Sequence, residues 1–408
     1  MGRRANGEGS VYKDSQGRWT AALSLPPDPL TGRPRRRYVR ARTRTEVVRR
    51  LRALQAEAAR GTDLAAPTML LGHWLDTWLR TDVTPRLKPA TTADYESVVR
   101  THLRPALGRR RLDRLTTDDV RALHDAVTAR ASAATAAKAH RVLSRALAVA
   151  VREGLLARNV ASLVPAPRSR PARGRIPTAD EARRVIRGCP DRERPRRMCS
   201  LLLGARQGEV LGMTLAGTHL DDDVPWVDLA WEVRRVTWAH GCGPRQGGTW
   251  PCGRRRGSDC PDRHAPVPAH LEGEAVHGGL WLLRPKTTAS WRTPPLPGVL
   301  ADALREHIAV YRPTRFVFEA APGVPLDPRR DYEQWRRTLQ ELGIGHVRLH
   351  SARSTAATLL MEAGTPQRVV MEILGHTQAA TTQRYERPTM GYQLAALEDL
   401  AALLADGA

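Results

Sequence analysis

His350 and Arg353 stand three residues apart in a stretch of helical pattern, so both lie on one helix face and can reach one ligand. Downstream, Thr365 can cap the next helix, Pro366 suits its first turn and Gly375 suits its end. That leaves His376 just beyond a rigid element, with Tyr385 nine residues further on, on another short helix. Two histidines, an arginine and a tyrosine are thereby delivered to one place. Such a set suits attack by a tyrosine hydroxyl on a phosphodiester, with cationic donors holding the negative phosphorane. Arginine's planar fork matches phosphate oxygens in pairs, which a lysine does less well.

The same residues resemble those of the tyrosine recombinase (phage integrase) family, which carries Arg…Lys…His-x-x-Arg…His…Tyr along its catalytic domain. Here the order is Arg206 in Ala205-Arg206-Gln-Gly-Glu209, Lys286 in Arg-Pro-Lys286-Thr-Thr, His350 and Arg353 in His-Ser-Ala-Arg, His376 in Leu-Gly-His, then Tyr385. Each short string recurs by chance; six in order do not. Ser351-Ala352 replaces the commoner Asp-Leu between His350 and Arg353, a departure that touches only local helix contacts.

The resemblance, of an actinobacterial phage or mobile-element type, implies a role for each residue. Tyr385 attacks the scissile phosphate, forms a 3′-phosphotyrosyl bond and releases a 5′-hydroxyl, so that religation needs no ATP. Arg206 and Arg353 hold the non-bridging oxygens, Lys286 is the acid to the leaving 5′ oxygen, His350 moves a proton with the tyrosine and His376 donates to the phosphorane. Glu209 steadies a nearby backbone or arginine. The implied partners are double-stranded DNA at attachment sites, a homotetramer assembled on it, an excisionase and a DNA-bending accessory protein. Catalysis needs no cofactor, and the absence of a paired carboxylate cluster disfavours a two-metal nuclease. Three other readings remain: a Xer-like housekeeping resolvase, a nicking enzyme like the type IB topoisomerases, and a DNA-binding regulator with a decayed site.

A chain of 408 residues exceeds one ordinary domain. Its formal charge of +23 favours a polyanionic partner. Apolar residues make up 41%, enough for cores, although with two phenylalanines the packing falls to Leu, Val, Ala and ten Trp. No run of eighteen apolar residues exists and the start Met-Gly-Arg-Arg lacks an apolar stretch, so neither a membrane span nor secretion is expected. An odd five cysteines point to a reducing cytosol, and the family resemblance implies the bacterial cytoplasm, at the nucleoid.

The elements that position these residues are expected to be mainly helical with small sheets, an α+β chain in three parts. Residues 1–64 carry the highest basic density, fifteen Lys or Arg against five Asp or Glu in the first sixty. Strands are expected at Ser10–Tyr12, Arg18–Leu25 and Arg36–Arg40, then a helix capped by Thr43 and Glu46. This resembles the arm-type DNA-binding domain of phage integrases. Residues 67–165 read as four helices, with Trp74 and Trp78 at core spacing, and resemble the family's core-binding domain. Lys88 and Arg100 there could touch phosphate. The proline-rich, basic 166–175 is a linker, and 176–408 is the catalytic domain, opening on a Thr178/Glu181 capping box.

Within it, strands are expected at Trp226–Leu229, Trp231–Trp238, Leu280–Leu283, Trp291–Leu296 and Phe316–Phe318, with Lys286 on the hairpin between Leu283 and Trp291. A tail helix is expected at 391–405, docking either on its own domain or on a neighbouring protomer. The insertion at 240–278 holds Cys242, Cys252 and Cys260, and with either His264 or His240 these suggest a structural zinc of Cys3His type; His264 is taken as the fourth ligand.

Overall fold

The structure, a computed structural model, describes residues 9–27, 32–59, 69–169, 175–243, 249–284, 291–375 and 390–405. It is mainly helical with small antiparallel sheets, and it divides into two compact units, Met1–Pro171 and Ala172–Ala408.

In the first unit, β1 (Ser10–Lys13), β2 (Trp19–Leu25) and β3 (Arg35–Ala41) form an antiparallel sheet in that order. The turn between β1 and β2 is closed by Asp14, whose Oδ1 accepts the amides of Gln16 at 3.0 Å and Arg18 at 2.9 Å, with Gly17 at φ 74°. Period-2 alternation gives the sheet two faces. Ala21 and Leu23 of β2 are buried against Val47 and Leu51 of α1 (Arg44–Ala59), while Arg36, Tyr38 and Arg40 of β3 face solvent. The helix opens where Thr43 Oγ1 accepts the Glu46 amide at 3.2 Å.

The helices α2 (Leu71–Trp78), α3 (Pro89–Val98), α4 (Arg104–Leu107), α5 (Thr117–Arg130) and α6 (Ala133–Arg152) follow. α2 runs on through a π-helical turn to Val83, and a second such turn, Val99–Leu103, joins α3 to α4. Trp74 and Trp78 are fully buried in the core of this bundle. Trp78 stacks on Tyr95 at 5.8 Å, and the Trp74 indole donates to Ala146 O at 3.0 Å, satisfying its one polar atom.

The second unit starts with α7 (Ala179–Gly188), whose capping box joins Thr178 and Glu181, and α8 (Arg194–Leu201), then α9 (Gln207–Leu211). Strands β4 (Thr218–His219) and β5 (Trp226–Val227) pair, and β6 (Glu232–Arg235), β7 (Gly273–His277) and β8 (Leu280–Leu283) form a sheet in the order β6-β8-β7. Next come α10 (Gly298–Tyr311), β9 (Glu319–Ala321), β10 (Val324–Pro325), α11 (Pro328–Glu341), α12 (Ser351–Glu362), α13 (Gln367–Leu374) and α14 (Met390–Ala405). One apolar core gathers residues from α7, α8, α10, α11, α12, α13 and α14.

Three local readings need correction. β8 pairs with β7, which precedes it, through the Gly278-Gly279 turn, not with Trp291–Leu296. The latter instead runs beside Pro225–Leu229, with Leu229 N to Arg292 O at 3.0 Å and Leu296 N to Pro225 O at 2.7 Å. Pro294 and Pro295 have no N–H to give, so no regular ladder forms there. Phe316–Phe318 makes a single bridge, Thr214 to Phe316, and is buried as core. Finally, Pro366 itself occupies the position before α13, and no side chain caps that helix.

The tail helix α14 docks on its own unit. Leu397, Leu400 and Leu404 are buried, Arg183 Nε donates to Leu403 O at 2.9 Å, and Glu398 Oε1 accepts the Gly298 amide at 2.7 Å.

Candidate active site

α8 ends at a tight passage, Gly204-Ala205-Arg206, that opens α9. Gly204 has φ +56°, and a Cβ there would sit 2.2 Å from Leu374 Cδ2, so only glycine lets the passage lie this close to α13. Two consequences follow for the charges. The Gly204 carbonyl accepts from Arg353 Nη1 at 2.8 Å, and Arg206, at the start of α9, meets Glu209 one turn on. Arg353 Nη2 also donates to the Leu374 carbonyl at the end of α13, where Gly375 in the left-handed region (φ 67°) stops the helix. Arg353 thus spans the end of one element and the start of another, and it is buried.

Glu209 is the hub. Its Oε1 accepts from Arg206 Nη1 at 2.5 Å, its Oε2 from the Arg206 amide at 2.9 Å and from Arg292 Nη2 at 2.8 Å. Burial pushes its carboxyl up, but Arg292 and Arg206 more than offset this and hold it below the usual glutamate value. Arg292 was not singled out from sequence. It is buried, and among the described residues its Nε and Nη1 have no hydrogen-bond partner. The signal that could have found it is its place on the segment returning from Lys286.

His350 occupies the position before α12, on the solvent-facing side of the cluster. Partial desolvation, then Arg353 and Arg206, hold its pKa below the ordinary histidine value. Burial, then Arg292 and Arg206, pull Arg353 down to about 9, with Glu209 opposing. Arg206 and Arg292 bond to Glu209, and Arg353 is held by the carbonyls of Gly204, two residues before Arg206, and of Leu374, whose neighbour Gly375 lies against Arg292. Among the described residues, three guanidinium groups thus gather near one carboxylate that pairs with two of them, which leaves surplus positive charge in a partly desolvated site. Such a site is complementary to an oxyanion.

Of the six residues singled out, the structure brings Arg206, His350 and Arg353 together. Lys286, His376 and Tyr385 lie outside the described residues. In the chain Lys286 follows Arg284 by two positions and His376 follows Gly375 directly.

A second cluster of chemically capable side chains lies in the insertion between β6 and β7. The ligand atoms of His240, Cys242, Cys252 and Cys260 all fall within 4.8 Å of one another. His264 is not in the group: its backbone pairs with Ala239, which brings the two ends of the segment together and puts His240, not His264, beside the thiols. Burial pushes the Cys260 thiol up, but the amides of Asp262 and Gly241 and the neighbouring thiols bring it down to about 7.

Comparison with known proteins places the chain in a family. A model of the phage integrase family matches residues 274–391 and one of the phage integrase central domain matches residues 72–166, together just over half of the chain. The chain belongs to the phage integrase family. With it come the tyrosine recombinases, enzymes that cleave and rejoin DNA. An integrase of Saccharopolyspora erythraea is 29% identical to this tyrosine recombinase over 94% of its chain and 93% of the relative. In fold, it is similar to the Tn1549 transposon integrase in complex with a circular intermediate DNA, with TM-score 0.58 and 17% identity over 82% of this chain and all of that one. It is similar also to a lambda integrase tetramer bound to a Holliday junction, with TM-score 0.52 and 18% identity over 92% of this chain and 98% of that one.

Proposed function

We propose that this chain carries out site-specific recombination of DNA, integrating or excising a phage or other mobile element, with Tyr385 as nucleophile and the Arg206/Arg353 cluster as the phosphate cradle. The observation that carries this reading is the charge imbalance itself: among the described residues Arg206 and Arg292 pair with Glu209, while the buried Arg353 beside them is held by two carbonyls and by no carboxylate. A phosphodiester supplies the missing negative charge, and the phosphorane carries more of it, so the cluster stabilises the transition state more than the ground state.

In the proposed step the Tyr385 oxygen bonds to phosphorus while the bond to the 5′ oxygen breaks. The phenolic proton leaves through neutral His350, and the departing 5′ oxygen takes a proton from Lys286. Attack by a 5′-hydroxyl of another strand reverses these changes and frees the tyrosine. Arg353, held by the Gly204 and Leu374 carbonyls, keeps its direction before substrate arrives, and His376 donates to the phosphorane. Bond energy stored in the phosphotyrosyl link makes ATP unnecessary for religation, and the arginines take the charge-neutralising part a metal ion would otherwise play.

The wider assembly is inferred in the same way. The basic, aromatic face of β3 supports a DNA-contacting role for the first domain, and likeness to a DNA-bound lambda integrase tetramer supports a homotetramer on DNA. An excisionase and a DNA-bending protein would set direction. No described helix is long and apolar enough to cross a membrane, and action on a bacterial genome places the enzyme in the cytoplasm.

A neutral methylphosphonate at the scissile position tests the cradle. Arg353→Ala should cut it better than it cuts ordinary phosphate, since there is less charge left to hold; equal deficits on both substrates would refute the assignment.

A further inference from the structure

Between the end of β6 at Arg235 and the start of β7 at Gly273, the described chain has one three-residue 3-10 turn, Gly257–Asp259, and, between described residues, one bridge, Ala239 to His264. Its only buried described residues are Val236, Cys260 and Pro268. A loop of this length with no apolar core cannot hold a single conformation by burial, and segments of this kind use a cross-link or a metal. All three thiols here are unpaired with one another as disulfides.

We propose that His240, Cys242, Cys252 and Cys260 bind one zinc ion, which fixes the Arg254-Arg255-Arg256 turn as a contact for DNA phosphates. His240 Nδ1 lies 3.4 Å from Cys252 Sγ and 3.9 Å from Cys242 Sγ. A tetrahedral site with Zn–S near 2.3 Å and Zn–N near 2.0 Å has ligand-to-ligand edges of roughly 3.5–3.8 Å. These two pairs already stand at about this spacing, and all four donors lie within 4.8 Å of one another. The imidazole is oriented by Trp250, on which it stacks at 4.2 Å and 11°. Three thiolates and one imidazole fill all four positions, so the site is closed and structural, with no place for a reacting water.

Closing it ties Cys252 to Cys260 across the turn that carries Arg254, Arg255 and Arg256, all three exposed. Nearby Arg263 lies over the Trp238 ring at 5.4 Å. Guanidinium groups on a pinned turn meet phosphates with less ordering cost than on a free loop. The DNA half of this proposal rests on the recombinase reading; the metal half does not, because metal content is read without DNA.

The experiment uses the full chain purified under reducing conditions. Elemental analysis should find about one zinc per chain, and cobalt exchanged into the site should show thiolate charge-transfer absorption. Cys252→Ser and His240→Ala should lose the metal, whereas His264→Ala and Tyr385→Phe keep it. Chelation of the wild-type protein should open 236–272 to protease. A zinc-free folded wild-type protein that takes up none on reconstitution would overturn the site, as would a disulfide among the three thiols. Metal lost from His264→Ala but not His240→Ala would overturn the ligand set. The triple variant Arg254→Ala/Arg255→Ala/Arg256→Ala should keep zinc yet bind DNA with a salt dependence shallower by roughly 2–3 in log–log slope. An unchanged slope would overturn the phosphate contact.

Discussion

Two arginine clusters sit in the catalytic unit, and they are built oppositely. In the first, Arg196 and Arg197 of α8 are buried against Glu193 and Asp331, with Arg197 Nη2 to Glu193 at 2.5 Å and Arg197 Nη1 to Asp331 at 2.9 Å. Two cations meet two carboxylates, and Gln334 and Gln207 take up further polar atoms of Arg196 and Asp331. In the second, Arg206 and Arg292 share Glu209, and Arg353 rests on two carbonyl dipoles in place of a charge. A balanced buried network fixes structure; an unbalanced one holds a place for an anion the protein does not supply. The clusters are joined through neighbours in sequence, since Gln207, bonded to Asp331 Oδ2 at 2.8 Å, follows Arg206. The balanced cluster thus anchors the start of α9, from which the unbalanced one projects.

This contrast can be broken by substitution. Asp331→Ala leaves two buried arginines short of a partner and should cost about 3–5 kcal/mol of stability in denaturant unfolding. A loss below about 1 kcal/mol would mean that the first cluster is not the anchor. Arg353→Met should instead act on chemistry, losing about 3 kcal/mol of transition-state stabilisation, or over a hundredfold in cleavage rate. Its stability should fall less than that of Asp331→Ala; the reverse order would erase the distinction.

Glu209→Gln removes the one carboxylate that pairs with Arg206 and Arg292 among the described residues. It should lower the melting temperature, and sulfate or DNA should restore much of the loss, which neither does for Asp331→Ala. Arg292→Ala, which removes one of the two donors to Glu209 Oε2, should cost about 1.5–3 kcal/mol, the range for a hydrogen bond to a charged group. The smallest effect concerns pH. The folded pKa of His350 is lowered, so the stability linked to it is present above the ordinary histidine value and is lost as pH falls below about 6.5 toward the folded value. In thermal melts, His350→Gln should flatten that part of the acid limb and leave the neutral range unchanged.

Much of this was legible before any coordinates. The His-x-x-Arg spacing, the Thr178/Glu181 box and the stop at Gly375 are local signals, and each stands where the spacing puts it. The misreadings concern partners. Alternation marks a strand but not its neighbour, so β8 was given to Trp291–Leu296 although β7 lay nearer in sequence. His264 and His240 flank the thiols on either side in sequence, and only the spacing of the ligand atoms in space decides between them. Arg292 carries no motif at all, because its importance lies in Glu209, which is 83 residues away.

The central claim is that the cationic cradle serves a tyrosine nucleophile at position 385. A nicked duplex that traps the covalent intermediate, followed by peptide mapping of the adduct, tests it most directly. The account predicts one DNA 3′-phosphate linked to Tyr385, and no adduct from a Tyr385→Phe protein that still binds the duplex. An adduct at another residue, or one that persists in Tyr385→Phe, would contradict it.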